Sequence, residues 1–158
     1  MKIYLKIGII VAALLIQLTL INLFTIQGLK PDLILLVVIV FSLLQGAEEG
    51  SISGFASGLS QDIFSSGLLG INALAKTIIG FICGILRAKV FAEHILFIIP
   101  IITFVASIGQ CMLIFLVLRA FGMEYDLTWS LKQVAFPEAL YNCLLSPFIF
   151  LAVKKILK

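Results

Sequence analysis

Apolar residues fill the chain in six blocks separated by short polar or turn-forming stretches, and the blocks have helical rather than strand length. They predict spans at about residues 4–24, 31–47, 48–66, 68–86, 95–118 and 137–153 within a single domain, 1–158. The first block is long enough to cross a ~30 Å hydrocarbon core at 1.5 Å per residue. The apolar run at 33–44 covers only roughly 20 Å, so it must borrow flanking residues, sit in thinned bilayer or be shielded by neighbours. Pro31 and Asp32 precede it, a proline suited to a first helical turn and a carboxylate suited to the positive end of a helix dipole.

The third block has a pattern of its own, GAEEGSISGFASGLSQDIFSSGLLG from Gly46 to Gly70. On a helix Gly50, Gly54, Gly58 and Asp62 form one i+4 row, flanked by Ser53, Ser57 and Gln61, while Ile52, Phe55, Leu59 and Ile63 lie opposite. In water each mid-helix glycine costs roughly 1 kcal/mol relative to alanine. In a membrane the same row lets a second helix approach backbone to backbone. The fourth block repeats the device: Asn72, Lys76, Gly80 and Gly84 share a row, with Gly80 and Gly84 as a small-xxx-small pair. These five glycines are the expected helix-packing or partner-contacting positions.

Composition then settles the solvent. The chain is 62% hydrophobic and 12% charged, with a mean hydropathy of +1.24. A soluble domain carries about 25% charged residues, so an all-α integral membrane bundle of six helices is the fold expected. The net charge of +3 comes mainly from lysines near the block ends. It therefore reports orientation, and nucleic-acid binding is not indicated. With six spans, Lys2, Lys6, Arg87, Lys89, Lys154, Lys155 and Lys158 fall on the cytoplasmic side and Lys30, Arg119 and Lys132 outside. If the glycine-rich segment failed to cross, the excess would reverse. Both termini are accordingly placed in the cytoplasm, and the first block is read as an uncleaved span.

Candidate chemistry is sparse. No nucleophile–base arrangement and no phosphate loop is present, and one histidine with three scattered cysteines makes neither a metal motif nor a disulfide framework. No catalytic residue, metal or cofactor is expected. The conspicuous group is Lys76, roughly 12 Å inside its span. A charge at that depth needs a partner or water. Asp62 and Glu138 are its expected counter-ions, with Asn72 beside them, forming either an intramembrane ion pair or a polar pocket. Asn142, Ser146 and Pro147 in the last block point to hydrogen bonds across helices and relief of a proline kink. Between the fifth and last blocks, Asp126 is placed to cap a short helix near the aromatic anchors Tyr125 and Trp129.

The order of these motifs resembles the rod shape-determining protein MreD family: Pro31-Asp32-Leu33 before an apolar run, Gly54-Phe55, Gly58-Leu59 and Asp62 in the ladder, then Leu69-Gly70 with Asn72-Ala73-Leu74. Ala139-Leu140-Tyr141-Asn142 followed by Pro147 extends the match, which covers residues 30–158. The family-motif residues are thus Pro31, Asp32, Asp62, Gly70, Asn142 and Pro147, whereas Lys76 matches no motif. The resemblance implies a non-catalytic, multi-pass inner-membrane subunit of the bacterial cell-elongation complex. It would bind the single-span protein MreC and act, directly or indirectly, with the actin-like MreB and peptidoglycan synthases. It also implies a fold similar to the S component of energy-coupling-factor transporters, and the alternative to a scaffold is an S-component-like protein binding a small solute for uptake.

Overall fold

The computed structural model describes residues 3–19, 30–65, 67–90, 95–124 and 126–157. Residues 20–29, which include the far end of the first block, lie outside them, as do His94 and Tyr125. Among the described residues the chain is all-helical. Helix α1 is Ile3–Thr19, α2 Leu33–Gln45, α3 Ala47–Phe64, α4 Ile71–Val90 and α5 Ile95–Ala120. A short α6, Leu127–Ser130, passes through a π-helical segment, Leu131–Ala135, into α7, Phe136–Leu157. Among the described residues two helical runs are long and apolar enough to cross a membrane, Leu96–Ala120 and Leu127–Leu157, whereas α1 and α2 are shorter apolar helices.

The short apolar run becomes the centre of the bundle. Every residue of α2 from Ile34 to Leu43 is buried, and α1, α3, α4, α5 and α7 all pack against it. A helix that is apolar on every side is stable only where it is enclosed. Shielding by neighbours is therefore how a helix of about 20 Å is accommodated. Its exit is abrupt: Gly46, the single residue between α2 and α3, has φ +105°, a region that side chains other than glycine rarely enter.

From that turn α3 and α4 run as an antiparallel pair in backbone contact. Gly50 faces the Gly80 carbonyl, Gly54 the Lys76 carbonyl, and Gly84 the Cα of Ala47. A Cβ on Gly58 would stand 2.6 Å from the Cα of Ala73. The five glycines thus form one intramolecular seam, and their small face is closed to a partner helix. Of the two roles expected for these glycines, the contacts within the chain are those of helix packing. The serines of the ladder are satisfied locally. Ser53 donates to the Glu49 carbonyl at 2.7 Å and Ser57 to the Ser53 carbonyl at 2.6 Å, the back-bonding that lets a hydroxyl be buried in a helix. On the opposite side Ile52, Phe55 and Ile63 are exposed, as are Leu74, Phe81, Ile82 and Ile85 of α4. Charges inside and apolar side chains outside is the arrangement a lipid solvent favours.

The last helix starts earlier than its apolar block. Asp126 Oδ1 accepts from the Thr128 amide at 2.9 Å and the Thr128 hydroxyl at 2.7 Å. These bonds, the hydroxyl's first, hold this exposed carboxyl below its usual range. The chain then widens into the π turn, where the Phe136 amide reaches the Leu131 carbonyl. Pro137 follows immediately. It has no N–H for an i−4 carbonyl and its ring crowds the preceding turn, and a π turn resolves both problems.

Pro147, inside α7, is handled differently. It cannot donate to the Cys143 carbonyl, and the Ser146 hydroxyl does so instead at 2.8 Å. Ser146→Ala should therefore lower the unfolding free energy by about 1 kcal/mol, and the loss should vanish in a Pro147→Ala background, where a backbone N–H is restored. Thermal unfolding of the four variants in detergent reads this cycle. Equal costs in both backgrounds would refute the substitution of hydroxyl for amide.

Candidate functional site: a buried ion pair shared by five helices

The start of α2 lies inside the bundle, so its unpaired amides need partners other than water. Pro31, buried just before the N-cap rather than in the first turn, contributes no N–H. The Asp32 amide donates to Asn142 Oδ1 at 2.9 Å, and the Ile34 amide to Gln17 Oε1 at 3.1 Å. The Leu35 amide donates to Asp32 Oδ1 at 3.0 Å, an N-cap in the usual sense. Side chains of α1, α2 and α7 thus complete one helix terminus.

The Asp32 carboxylate then draws in two further helices, α4 and α5, and takes a second contact from α1. Lys76 Nζ of α4 lies 2.6 Å from Oδ2, and Gln110 Nε2 of α5 donates to the same oxygen at 2.9 Å. Gln17 Nε2 of α1 reaches Oδ1 at 3.4 Å. Asn142 Nδ2 carries the network on to Ser107 Oγ at 2.9 Å. Lys76 and Asn142 are fully buried, and Asp32 and Gln110 are 5% exposed.

Asp62 is the second buried carboxylate, and it is not the counter-ion of Lys76. Its Oδ2 accepts the Gly70 and Ala73 amides, each at 3.0 Å, and its Oδ1 accepts the Asn72 amide at 3.2 Å and Asn72 Nδ2 at 2.8 Å. It therefore caps α4 from the end of α3, where the helix dipole favours an anion. Gly70 permits this by turning the chain at φ +98°. Asn72 links the two carboxylates, since its Oδ1 accepts from Lys76 Nζ at 3.4 Å. Glu138 is within electrostatic range of Asp32 and Lys76, yet the ion pair belongs to Asp32.

Asp62 and Glu138 are the carboxylates nearest Lys76 in predicted depth. Asp32 escapes notice along the chain because it stands at a span entrance, which is ordinarily wet. Gln17, Ser107 and Gln110 stand as isolated polar residues in apolar blocks. The signal available was on α5, where Ser107 and Gln110 share a face at i, i+3. Glu48 and Glu49 lie at the opposite end of the bundle, where Glu49 Oε1 meets Lys6 Nζ at 2.6 Å, a partly exposed clip between α1 and α3. Among the described residues no group of three His, Cys, Asp or Glu side chains is placed to hold a metal.

Beside Asp62 a cavity of about 440 Å³ opens between the end of α3, the start of α4 and the end of α5, lined by Asp62, Ser65, Asn72, Ile114, Leu118 and Met123 among others. Its polar wall is the capping cluster, and its other wall is apolar. A family model described as rod shape-determining protein MreD matches residues 1–158, the whole chain. No curated protein and no solved structure matches the chain.

Proposed function

The chain belongs to the rod shape-determining MreD family, and we propose that it serves the rod-shape system as a non-catalytic scaffold of the cell-elongation complex. In this reading it binds MreC and, through it, helps to organise MreB and the peptidoglycan synthases. It is a multi-pass protein of the bacterial cytoplasmic membrane, with six spans and both termini in the cytoplasm. Reporter fusions at each end would test that orientation, and an extracytoplasmic signal at either would refute it.

The observation that supports a scaffold most directly is the tie of five helices at Asp32. Its carboxylate takes donors from α1, α4 and α5, and its amide donates to Asn142 of α7. Polar groups engaged with one another in this way hold helices at fixed angles and present a constant outer surface. With the glycine seam closed inside the protein, the faces left for MreC are the outward apolar faces of the helices. Co-expression with tagged MreC should recover the chain in stoichiometric amount, and depletion should turn rod-shaped cells round. Rods that persist after depletion would remove the proposal.

The cavity beside Asp62 supports a second reading, an S-component-like protein holding a small solute. Its volume lies in the range of small-molecule sites. Thermal shift across a metabolite panel distinguishes the two readings. A stabilising compound whose effect is lost on filling the cavity with Leu118→Trp favours the solute reading, and no shift with any compound counts against it.

A further inference from the structure

The widened turn before α7 faces α5 across an apolar cleft of about 330 Å³ lined by Ile108, Leu131, Lys132, Ala135 and Phe136. Phe136 also meets Phe104 of α5 edge to face, with ring centroids 5.7 Å apart. Three of the lining residues come from the π segment itself, whose extra residue per turn enlarges the gap beside the neighbouring helix. Pro137 accounts for the π turn, but not for the chemistry of the cleft. One cation, Lys132, stands at its edge. It is exposed and takes part in neither ion pair found among the described residues.

The level of this cleft in the membrane follows from α7. Lys132 and Lys154 are about 33 Å apart along the helix at 1.5 Å per residue, close to the ~30 Å thickness of the hydrocarbon core. The two lysines therefore bracket the core, as cations at opposite interfaces do. Trp129, the single tryptophan, is exposed one turn further out, where indoles collect at the headgroup level. An unpaired cation at headgroup level above an apolar slot is complementary to one kind of molecule, an anion carrying a hydrocarbon chain.

We propose that this cleft is a binding site for an anionic phospholipid of the outer leaflet. Its phosphate pairs with Lys132, and the upper part of one acyl chain lies between Ile108, Ala135 and Phe136. The assignment to the outer leaflet rests on the orientation proposed above; the binding of an anionic lipid at Lys132 depends neither on MreC nor on the rod-shape role.

Trp129 supplies the reporter. The purified protein is placed in nanodiscs of phosphatidylcholine with a minor fraction of phosphatidylglycerol, bromine being carried on the acyl chains of one lipid at a time. Brominated phosphatidylglycerol should quench Trp129 beyond its mole fraction, with about fivefold local enrichment, the factor that one lysine near an anionic headgroup is worth. Lys132→Gln should abolish the excess and Lys132→Arg should retain it, both with unchanged thermal unfolding. Quenching in proportion to mole fraction for both lipids overturns the proposal, as does an excess that survives in Lys132→Gln. If embedding MreC removes the excess and Lys132→Gln weakens MreC capture, the cleft's occupant is a partner helix and the lipid assignment fails.

Discussion

Lys76→Met should lower the unfolding free energy by about 3–5 kcal/mol, the cost of leaving one member of a buried ion pair alone. Lys76 is wholly buried and 2.6 Å from Asp32 Oδ2, so no water can take its place. The methionine approximates the lysine stem, and the damage therefore reports the lost charge rather than a cavity. The stranded Asp32 keeps Gln110, Gln17 and the Leu35 amide, which reduces the cost without removing it. The decisive comparison is the double variant Asp32→Asn/Lys76→Met, in which both charges are gone and neither is stranded. It should recover most of the loss and approach wild type, because desolvation offsets much of a buried pair's attraction. Thermal unfolding in detergent, with monodisperse yield as a second readout, measures the cycle. Additive costs would mean that the two residues act independently, against the geometry. Asp62→Asn separates the two carboxylates: it should weaken the start of α4 and leave the Asp32–Lys76 cycle intact.

Gly54→Ala, the addition of one methyl group, should destabilise by about 1–3 kcal/mol or more, in the range of overpacked cores. Its Cβ would overlap the Lys76 carbonyl and approach its carbon at 2.7 Å, and backbone cannot rotate aside as a side-chain tip can. Separation of α3 from α4 would also draw Lys76 away from Asp32, so the seam and the ion pair should fail together. Gly8→Ala is the control. Nothing lies within 4 Å of a Cβ there, and alanine is favoured over glycine in a helix by up to ~1 kcal/mol. It should be neutral or slightly stabilising. Equal behaviour of the two variants would show that the α3–α4 contact is looser than described. The same pair bears on partner binding: because the seam is internal, Gly54→Ala should lose MreC only in proportion to lost fold, and a well-folded variant that no longer captures MreC would reinstate the glycines as a docking face.

Much of this was legible along the chain because its signals are local. The i+4 row Gly50–Gly54–Gly58 announces a close helix contact wherever its partner lies, and Gly80–Gly84 names that partner. The polar tie was harder to read. Lys76 is visible as a charge at the wrong depth, but its counter-ion is 44 residues away and Asn142 meets the Asp32 amide across 110. Asp62 misleads because it shares an end of the bundle with Lys76, while three of its four partners are backbone amides, which no side-chain inventory lists.

The solvent, the helical class, the glycine seam and the family are legible along the chain, since each depends on composition, on period or on motif order. Lys76 likewise shows along the chain as a charge in need of a partner or water. That the partner is Asp32 follows from the packing of the helices. The short α2 had to be enclosed by its neighbours, and enclosing it carried its uncapped N-terminus, with Asp32, into the interior. There a lysine from α4 and amides from α1, α5 and α7 replace the water that a helix end at the surface would have used.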